Sequence, residues 1–324
     1  MKSIVLLSTA LLLLLISCGR HHSDSDSTQY DPWANPMWGP NPYSYPYPYA
    51  IPYGYSYTYP SPTYYPVPVI DSTMRFPAGT PLRTRMEGKL VGAHQGGAMS
   101  LGANTLPRFE EAFQLGVDII EMDLQLTKDN VVIVYHDNYL DRFTDCEGLV
   151  IDKTWDEIKK CDKLFFYKIP SLEEVLQWSN GKVIINAEFK FQESIIPTLN
   201  LVKKYNAYDW VYFQTKSDPV LYHTARDYDD QVALLFAPND QTQLDWALGL
   251  NDDNLVVIEL SEDFISADII DAIHDAGKLA SDNSWHFSST REIFGAACTP
   301  LFEMNIDIAI TDKPEGCIEQ RADL

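Results

Sequence analysis

Two carboxylates placed two residues apart on one predicted strand offer the clearest chemistry in this chain. Residues 119–126 alternate apolar and polar side chains, so a strand here carries Glu121 and Asp123 on one polar face. Neighbouring carboxylates repel each other unless a proton or cation lies between them, and a hard divalent cation is the simplest solution. A second apolar run, 131–135, delivers His136. The stretch predicts a metal site beside a histidine; the alternative is a solvated edge strand with an isolated histidine.

Strand and helix patterns alternate from residue 89 onward. Eight strands with intervening helices over a segment of this size predict a (β/α)8 TIM-type barrel. The alternative is a doubly wound open sheet, but no glycine-rich phosphate-binding pattern follows the first strand. The predicted strands are Leu90–His94, the strand of Glu121, Lys182–Lys190, Trp210–Gln214, Val232–Phe236, Leu255–Leu260, Lys278–Asp282 and Ile306–Thr311. The predicted helices include Asn104–Phe113, Thr154–Lys160, Ser171–Trp178, Ser194–Tyr205 and Ala267–Ala276.

A barrel of this kind carries its active site at the carboxyl ends of the strands. His94 ends the first predicted strand, and Glu121 and Asp123 lie late in the second. Glu188 and Lys190 end the third strand and share one face of it. Three neighbouring strands therefore direct a histidine, three carboxylates and a lysine to one mouth.

The charge of the chain limits the class of partner. The 324 residues carry a formal net charge of -22, which argues against nucleic acid, because nothing would neutralise its phosphates over a surface. A small phosphate-bearing substrate remains compatible, since a metal ion and one or two cationic side chains can set the local field. No CxxC pair or cysteine–histidine cluster suggests zinc.

The first residues predict export. Lys2 precedes an apolar run, 4–16, that is too short for a comfortable membrane span and fits a secretory signal. The segment ending at Cys18 resembles a bacterial lipoprotein processing site, so we expect a signal peptide over 1–17, a lipid anchor on Cys18 and a location in the bacterial cell envelope. The alternative is an ordinary signal peptide with a coincidental cysteine.

Residues 18–85 are rich in proline and tyrosine and show no periodic core. Proline at this density removes backbone donors and blocks helix and sheet interiors, so we expect a disordered, extended tether. A sticky aromatic surface for glycan or protein is the alternative function. The barrel is predicted to occupy 86–324.

The remaining four cysteines permit two disulfides. Export favours an oxidising compartment. Sequence proximity favours Cys146–Cys161 and Cys298–Cys317 among three connectivities, and free buried thiols are the alternative.

The segment 88–312 resembles the glycerophosphodiester phosphodiesterase family. The similarity is spread in order along the predicted barrel. The residues that carry it are His94-Gln-Gly96, Asn104-Thr105, Gly116-Val-Asp-Ile-Ile-Glu-Met-Asp123, Thr127-Lys-Asp129, His136-Asp137, Ile169-Pro-Ser-Leu-Glu-Glu-Val175, Glu188-Phe-Lys190, Trp285 and Ile310-Thr-Asp312.

The resemblance implies a TIM-type barrel that hydrolyses glycerophosphodiesters to an alcohol and glycerol phosphate with one divalent ion, Mg²⁺ or Ca²⁺. Its implied metal ligands are Glu121, Asp123 and Glu188. Its implied acid and base are His94 and His136, and Gln95, Lys190 and Trp285 are implied substrate-binding residues. Hard metal ions and lysine stabilise phosphate charge, and imidazoles exchange protons near neutral pH.

Two positions depart from the family pattern. Gln95 stands where the family has arginine, and Ala103 stands where it has glutamate. Sphingomyelinase D-like phospholipases resemble this family and do not use that arginine, so hydrolysis of intact lipid headgroups is one alternative function. A catalytically weak, ligand-binding envelope lipoprotein is another.

Overall fold

Eight parallel strands close into a barrel in a computed structural model that describes residues 76–97, 102–163, 167–261, 263–284 and 298–322. Going round the barrel the order is β1, β2, β4, β5, β6, β7, β8 and β9, and β9 pairs with β1. The short β3 adds an antiparallel partner to β2. The predicted (β/α)8 barrel and its eight strands are confirmed. The strands are β1 Leu90–Ala93, β2 Ile119–Leu126, β3 Val132–Val134, β4 Ile184–Phe189, β5 Val211–Gln214, β6 Ala233–Phe236, β7 Leu255–Glu259, β8 Leu279–Asn283 and β9 Ile308–Thr311.

Helices separate the barrel strands. Glycine or asparagine in the left-handed region ends several of them, as at Gly116 and Asn180. The helix Leu172–Ser179 begins with reciprocal capping between Ser171 and Glu174. The α-helices in the described part of the chain are α1 Leu82–Arg85, α2 Leu106–Leu115, α3 Trp155–Ile158, α4 Leu172–Ser179, α5 Ile195–Tyr205, α6 Pro219–Tyr228, α7 Gln241–Gly249, α8 Ala267–Asp275, α9 Cys298–Glu303 and α10 Pro314–Ala322.

The two faces of each strand enter different apolar layers. Ile120 and Met122 of β2 join the large cluster between strands and helices, whereas Ile119 joins a second cluster formed with Leu82 and Met86. The first residues of several strands belong to this second cluster, so it forms the floor of the barrel. Polar side chains are thereby left at the opposite, carboxyl ends of the strands.

The short α1 belongs to the barrel domain. Leu82 is buried in the floor cluster, and Arg85 is buried with its guanidinium donating to the carbonyl oxygens of Thr80 and Gly181. These contacts place α1 with the barrel, and the boundary near residue 85 stays a prediction. The predicted signal peptide, Cys18 and most of the predicted tether lie outside the described residues.

Two disulfides are present, with the predicted connectivity. Cys146–Cys161 lies within a long insertion between β3 and α4, and Cys298–Cys317 joins α9 to α10. Within the described ranges, no helix has the length and apolar character needed to cross a membrane.

Candidate functional site

The carboxyl ends of β2 and β4 bring three carboxylates together. Asp123 lies opposite Glu188 in the parallel register, and Glu121 lies two residues earlier on the same face of β2. All three side chains are buried, and their ligand oxygens lie within 4.8 Å of one another. The structure thus gathers the three predicted metal ligands into one cluster, called here the carboxylate cluster.

Two lysines enter the carboxylate cluster from neighbouring strands. Lys190, just after β4, places Nζ 2.7 Å from Asp123 Oδ1 and 2.5 Å from Glu188 Oε1. Lys216, just after β5, places Nζ 2.7 Å from Glu188 Oε2. Burial opposes ionisation of Asp123 and Glu188, but Lys190, helped at Glu188 by Lys216, lowers the pKa of both carboxyls. These two carboxylates stay charged because the lysine ammonium groups stabilise their negative charge in place of the water that burial excludes.

Glu121 differs from the other two carboxylates. No described lysine or arginine nitrogen lies within 4.0 Å of its oxygens, and its hydrogen-bond donor is the backbone N–H of Gln95 at 2.9 Å. Burial and the neighbouring charge of Asp123 raise the pKa of Glu121 to about 7. The cluster therefore holds three carboxylates against two lysines, and Glu121 is the carboxylate that neither lysine contacts.

His94 stands beside Glu121 at the end of β1. Its Nδ1 lies 2.6 Å from Asp312 Oδ1, and its Nε2 lies 3.9 Å from Glu121 Oε2. Burial disfavours the imidazolium, but the charge of Glu121 and the hydrogen bond with Asp312 raise the pKa of His94 to about 9. A carboxylate at Nδ1 fixes the ring and its tautomer, and directs proton exchange to Nε2.

His136 reaches the same mouth through the β2–β3 hairpin. The N–H of Tyr135 donates to the carbonyl oxygen of Asp123 at 3.0 Å, so the strand that ends at His136 lies directly beside β2. His136 Nδ1 lies 2.5 Å from Asp137 Oδ1, and half of the His136 side chain is exposed. The two predicted acid–base histidines thus share one arrangement, a carboxylate at Nδ1, and each follows a strand that pairs with β2.

Two amides hold Asp123. Gln95 Nε2 and Asn104 Nδ2 each donate to Asp123 Oδ2 at 2.7 Å. Both residues lie in the left-handed region, with φ of 51° at Gln95 and 59° at Asn104. The predicted helix began at Asn104, but the cap position belongs to Thr105, because the left-handed turn aims the Asn104 amide into the barrel instead. The Gln95 amide, expected to contact substrate, binds a predicted metal ligand in this structure.

Comparison with known sequences identifies related proteins. The sequence model of the Glycerophosphoryl diester phosphodiesterase family matches residues 94–229. A glycerophosphodiester phosphodiesterase of Caldanaerobacter subterraneus is 38% identical over 130 residues, which cover 36% of this chain and 54% of that protein. One from Bacillus altitudinis is 42% identical over 107 residues, or 30% of this chain and 44% of that protein. The chain thus spans about half the length of the curated relatives it matches.

Solved structures share the fold. A glycerophosphoryl diester phosphodiesterase from Parabacteroides distasonis aligns with a TM-score of 0.62 at 22% identity, over 75% of this chain and 92% of that one. An Oleispira antarctica phosphodiesterase in complex with the product sn-glycerol-3-phosphate aligns with a TM-score of 0.61 at 19% identity, over 73% and 98%. Over residues 94–229 this chain is similar to the glycerophosphodiester phosphodiesterase family. The family match begins at His94 and extends through β5, so it contains the carboxylate cluster and His136 but not Asp312.

Some site residues escaped the prediction, and one lies out of view. Lys216 lies two residues after β5, so the rule that sites lie at the carboxyl ends of barrel strands could have predicted it. The contact of Asn104 with Asp123 was hidden by the position of Asn104 at the start of a predicted helix. Trp285 lies outside the described residues.

Proposed function

We propose that this barrel hydrolyses glycerophosphodiesters to an alcohol and glycerol phosphate, using one divalent metal ion and two histidines. The observation that carries the proposal is the buried carboxylate cluster flanked by two histidines, each with a carboxylate at Nδ1. The names of the matched relatives and the product bound by the Oleispira antarctica protein support this choice of substrate.

The donor set fits a hard divalent cation. Glu121, Asp123 and Glu188 offer only oxygen atoms, which Mg²⁺ and Ca²⁺ both prefer, and they are close enough to share one ion. Neither lysine contacts Glu121, so a cation bound there would add the positive charge that this third carboxylate lacks from lysine. When bound, the ion supplies Lewis-acid stabilisation of negative charge on the phosphoryl oxygens.

The two histidines divide the proton transfers. Cleavage of a phosphodiester requires a proton to leave the attacking hydroxyl and a proton to reach the departing alkoxide. His94 follows β1 and His136 follows β3, the two strands that pair with β2 besides β4, and Asp312 and Asp137 orient their rings. We assign one histidine to each transfer. Imidazole suits both roles because its unperturbed pKa lies near neutral pH.

The remaining proposed substrate contacts are Lys190, Gln95 and Trp285. Lys190 offsets the negative charge of Asp123 and Glu188, which reduces the repulsion that an incoming phosphodiester meets. The Gln95 amide donates to Asp123 in the structure. Gln95 therefore contributes to substrate binding by holding the loop that carries His94.

Phosphorus NMR of reaction products tests the proposed reaction. The full chain incubated with glycerophosphocholine should yield glycerol phosphate, stop after chelation and resume when Mg²⁺ or Ca²⁺ is restored. An Asp123→Asn variant should lose most of this activity, and a Glu193→Gln variant should keep it, because Glu193 is exposed on the turn after β4.

Two outcomes would overturn the proposal. Cleavage of intact sphingomyelin or lysophosphatidylcholine without cleavage of glycerophosphocholine would assign the site to headgroup release from lipids. Absence of turnover with every substrate and metal would assign the barrel to ligand binding.

We also propose that the protein is exported and anchored to a membrane of the bacterial cell envelope through lipid on Cys18. The apolar leader before Cys18 supports export, and the two disulfides suit an oxidising compartment. Metabolic labelling with a fatty acid should mark the wild-type chain and not a Cys18→Ser variant. Equal labelling of both chains would contradict the anchor.

A further inference from the structure

Lys163 is a buried cation in the insertion between β3 and α4. Only 5% of the residue is exposed. Its Nζ donates to the carbonyl oxygen of Ala103 and lies 5.5 Å from the ring centroid of Tyr135. An ammonium group has three donors, and no carboxylate oxygen of the described residues lies within 4.0 Å of this one. Among the described residues, the Lys163 ammonium group is therefore buried with one hydrogen bond and without a counter-ion.

The insertion holds Lys163 rigidly. Its backbone exchanges two hydrogen bonds with Tyr167, at 2.8 and 3.0 Å, and bridges to Thr144. The disulfide at Cys161 fixes the chain two residues earlier. The ring of Tyr167 lies on Gly102, where a Cβ atom would come within 2.8 Å of the ring. The position of the ammonium is thus built into the packing of the insertion on the Gly102–Ala103 turn.

This position borders the carboxylate cluster. Ala103, which accepts from Lys163, precedes Asn104, whose amide holds Asp123. Tyr135, whose ring lies under Lys163, donates its N–H to the Asp123 carbonyl oxygen. The charges of Asp123 and Asp137 also act on the ammonium and oppose the effect of burial, which nevertheless lowers the pKa of Lys163 to about 8.

Packing alone gives no reason for a lysine at this position. A buried charge without a counter-ion destabilises the fold, whereas a methionine of similar length would fill the same space without desolvating an ammonium group. Lys190 and Lys216, the lysines within the cluster, are each paired with its carboxylates. An anion that enters the site from solvent would supply Lys163 with the counter-ion that the described residues do not.

We propose that Lys163 binds the phosphate of the substrate, by donating from Nζ to a non-bridging oxygen of the phosphodiester. Gln95, at the position beside His94, carries no charge and is held by Asp123. In this proposal the insertion supplies, through Lys163, the positive charge that Gln95 lacks. The inference rests on the proposed function, since it assigns a binding residue to that reaction.

Three variants test this role: Lys163→Met, Lys163→Arg and the control Lys159→Met. Lys159 lies in the same insertion, is half-exposed and pairs with Asp156. We expect Lys163→Met to lower kcat/KM on glycerophosphocholine by about ten- to a hundredfold, the range for losing a charged hydrogen bond. We expect Lys159→Met to leave it unchanged and Lys163→Arg to retain part of it. The melting temperature of Lys163→Met should rise, because a buried charge is removed.

Binding of sn-glycerol-3-phosphate, measured by calorimetry, separates failure of this inference from failure of the proposed reaction. If the wild type binds the ligand at least tenfold more tightly than Lys163→Met, and the melting temperature of Lys163→Met is not lower, the phosphate contact stands even when no substrate is hydrolysed. Equal affinity in the two proteins would overturn it. A lower melting temperature in Lys163→Met, together with weaker binding, would also overturn it, because that pair of results describes a structural lysine.

Discussion

Asn104 makes a quantitative prediction about how the site is held. Its amide donates to the carboxylate of Asp123 at 2.7 Å, and its backbone has φ 59°. Asn104→Ala removes a buried charge-assisted hydrogen bond, at about 1.5–3 kcal/mol. It also places a Cβ residue that lacks a polar side chain in the left-handed region, at about 1–2 kcal/mol. The free energy of unfolding should therefore fall by about 2.5–5 kcal/mol.

Asn130 provides the matched control. It has φ 60°, lies in the β2–β3 turn and is exposed. Asn130→Ala should therefore cost only the backbone part, about 1–2 kcal/mol. Urea unfolding with intact disulfides measures both variants, and the difference between them isolates the bond to Asp123. Equal losses would show that the Asn104 amide contributes nothing to the stability of the site, and the account of how Asp123 is held would be refuted.

Three further predictions concern the acid–base pair, the buried lysine and the insertion. His94→Asn and His136→Asn should each reduce kcat on glycerophosphocholine by about 10²–10⁴-fold. Only the variant that lacks the acid should recover activity on bis-p-nitrophenyl phosphate, because the leaving group of that substrate needs no proton. Recovery of both variants, or of neither, would contradict separate roles. Because burial lowers the Lys163 pKa from 10.5 to about 8, the wild type carries the full penalty below pH 8 and loses it as pH rises to 10.5. Lys163→Met should thus be more stable by about 3 kcal/mol in urea at pH 7 and nearly equal above pH 10.5; a less stable variant at pH 7 would contradict this. Replacing Cys146 and Cys161 together by serine should lower stability by about 3 kcal/mol and also lower kcat/KM, and an unchanged kcat/KM would show that the disulfide does not position Lys163.

The barrel and the carboxylate cluster were predictable because strand periodicity is a local signal. Alternation along β2 put Glu121 and Asp123 on one face, and the parallel order of β2 and β4 brought Glu188 beside them. The same local signal was misleading at Asn104. A polar residue before proline resembles a helix cap, but the left-handed turn that redirects its amide depends on long-range packing.

The partners of the charged groups were not predictable from sequence. Lys190 was expected to face phosphate, yet it lies between two carboxylates, because the choice of rotamer follows the field of the whole cluster. Lys163 belongs to none of the motifs. Its place at the mouth depends on the disulfide of Cys161 and on packing against Gly102, neither of which has a periodic pattern.

Calorimetric titration of the full chain with Mg²⁺ and Ca²⁺ tests the central claim most directly. If Glu121, Asp123 and Glu188 hold one divalent ion, the wild type and the Glu193→Gln control should bind one equivalent of at least one of these metals. Glu121→Gln should bind it at least tenfold more weakly, and glycerophosphocholine hydrolysis should fall with metal occupancy. Equal metal affinity in Glu121→Gln and wild type would contradict the assignment of the site.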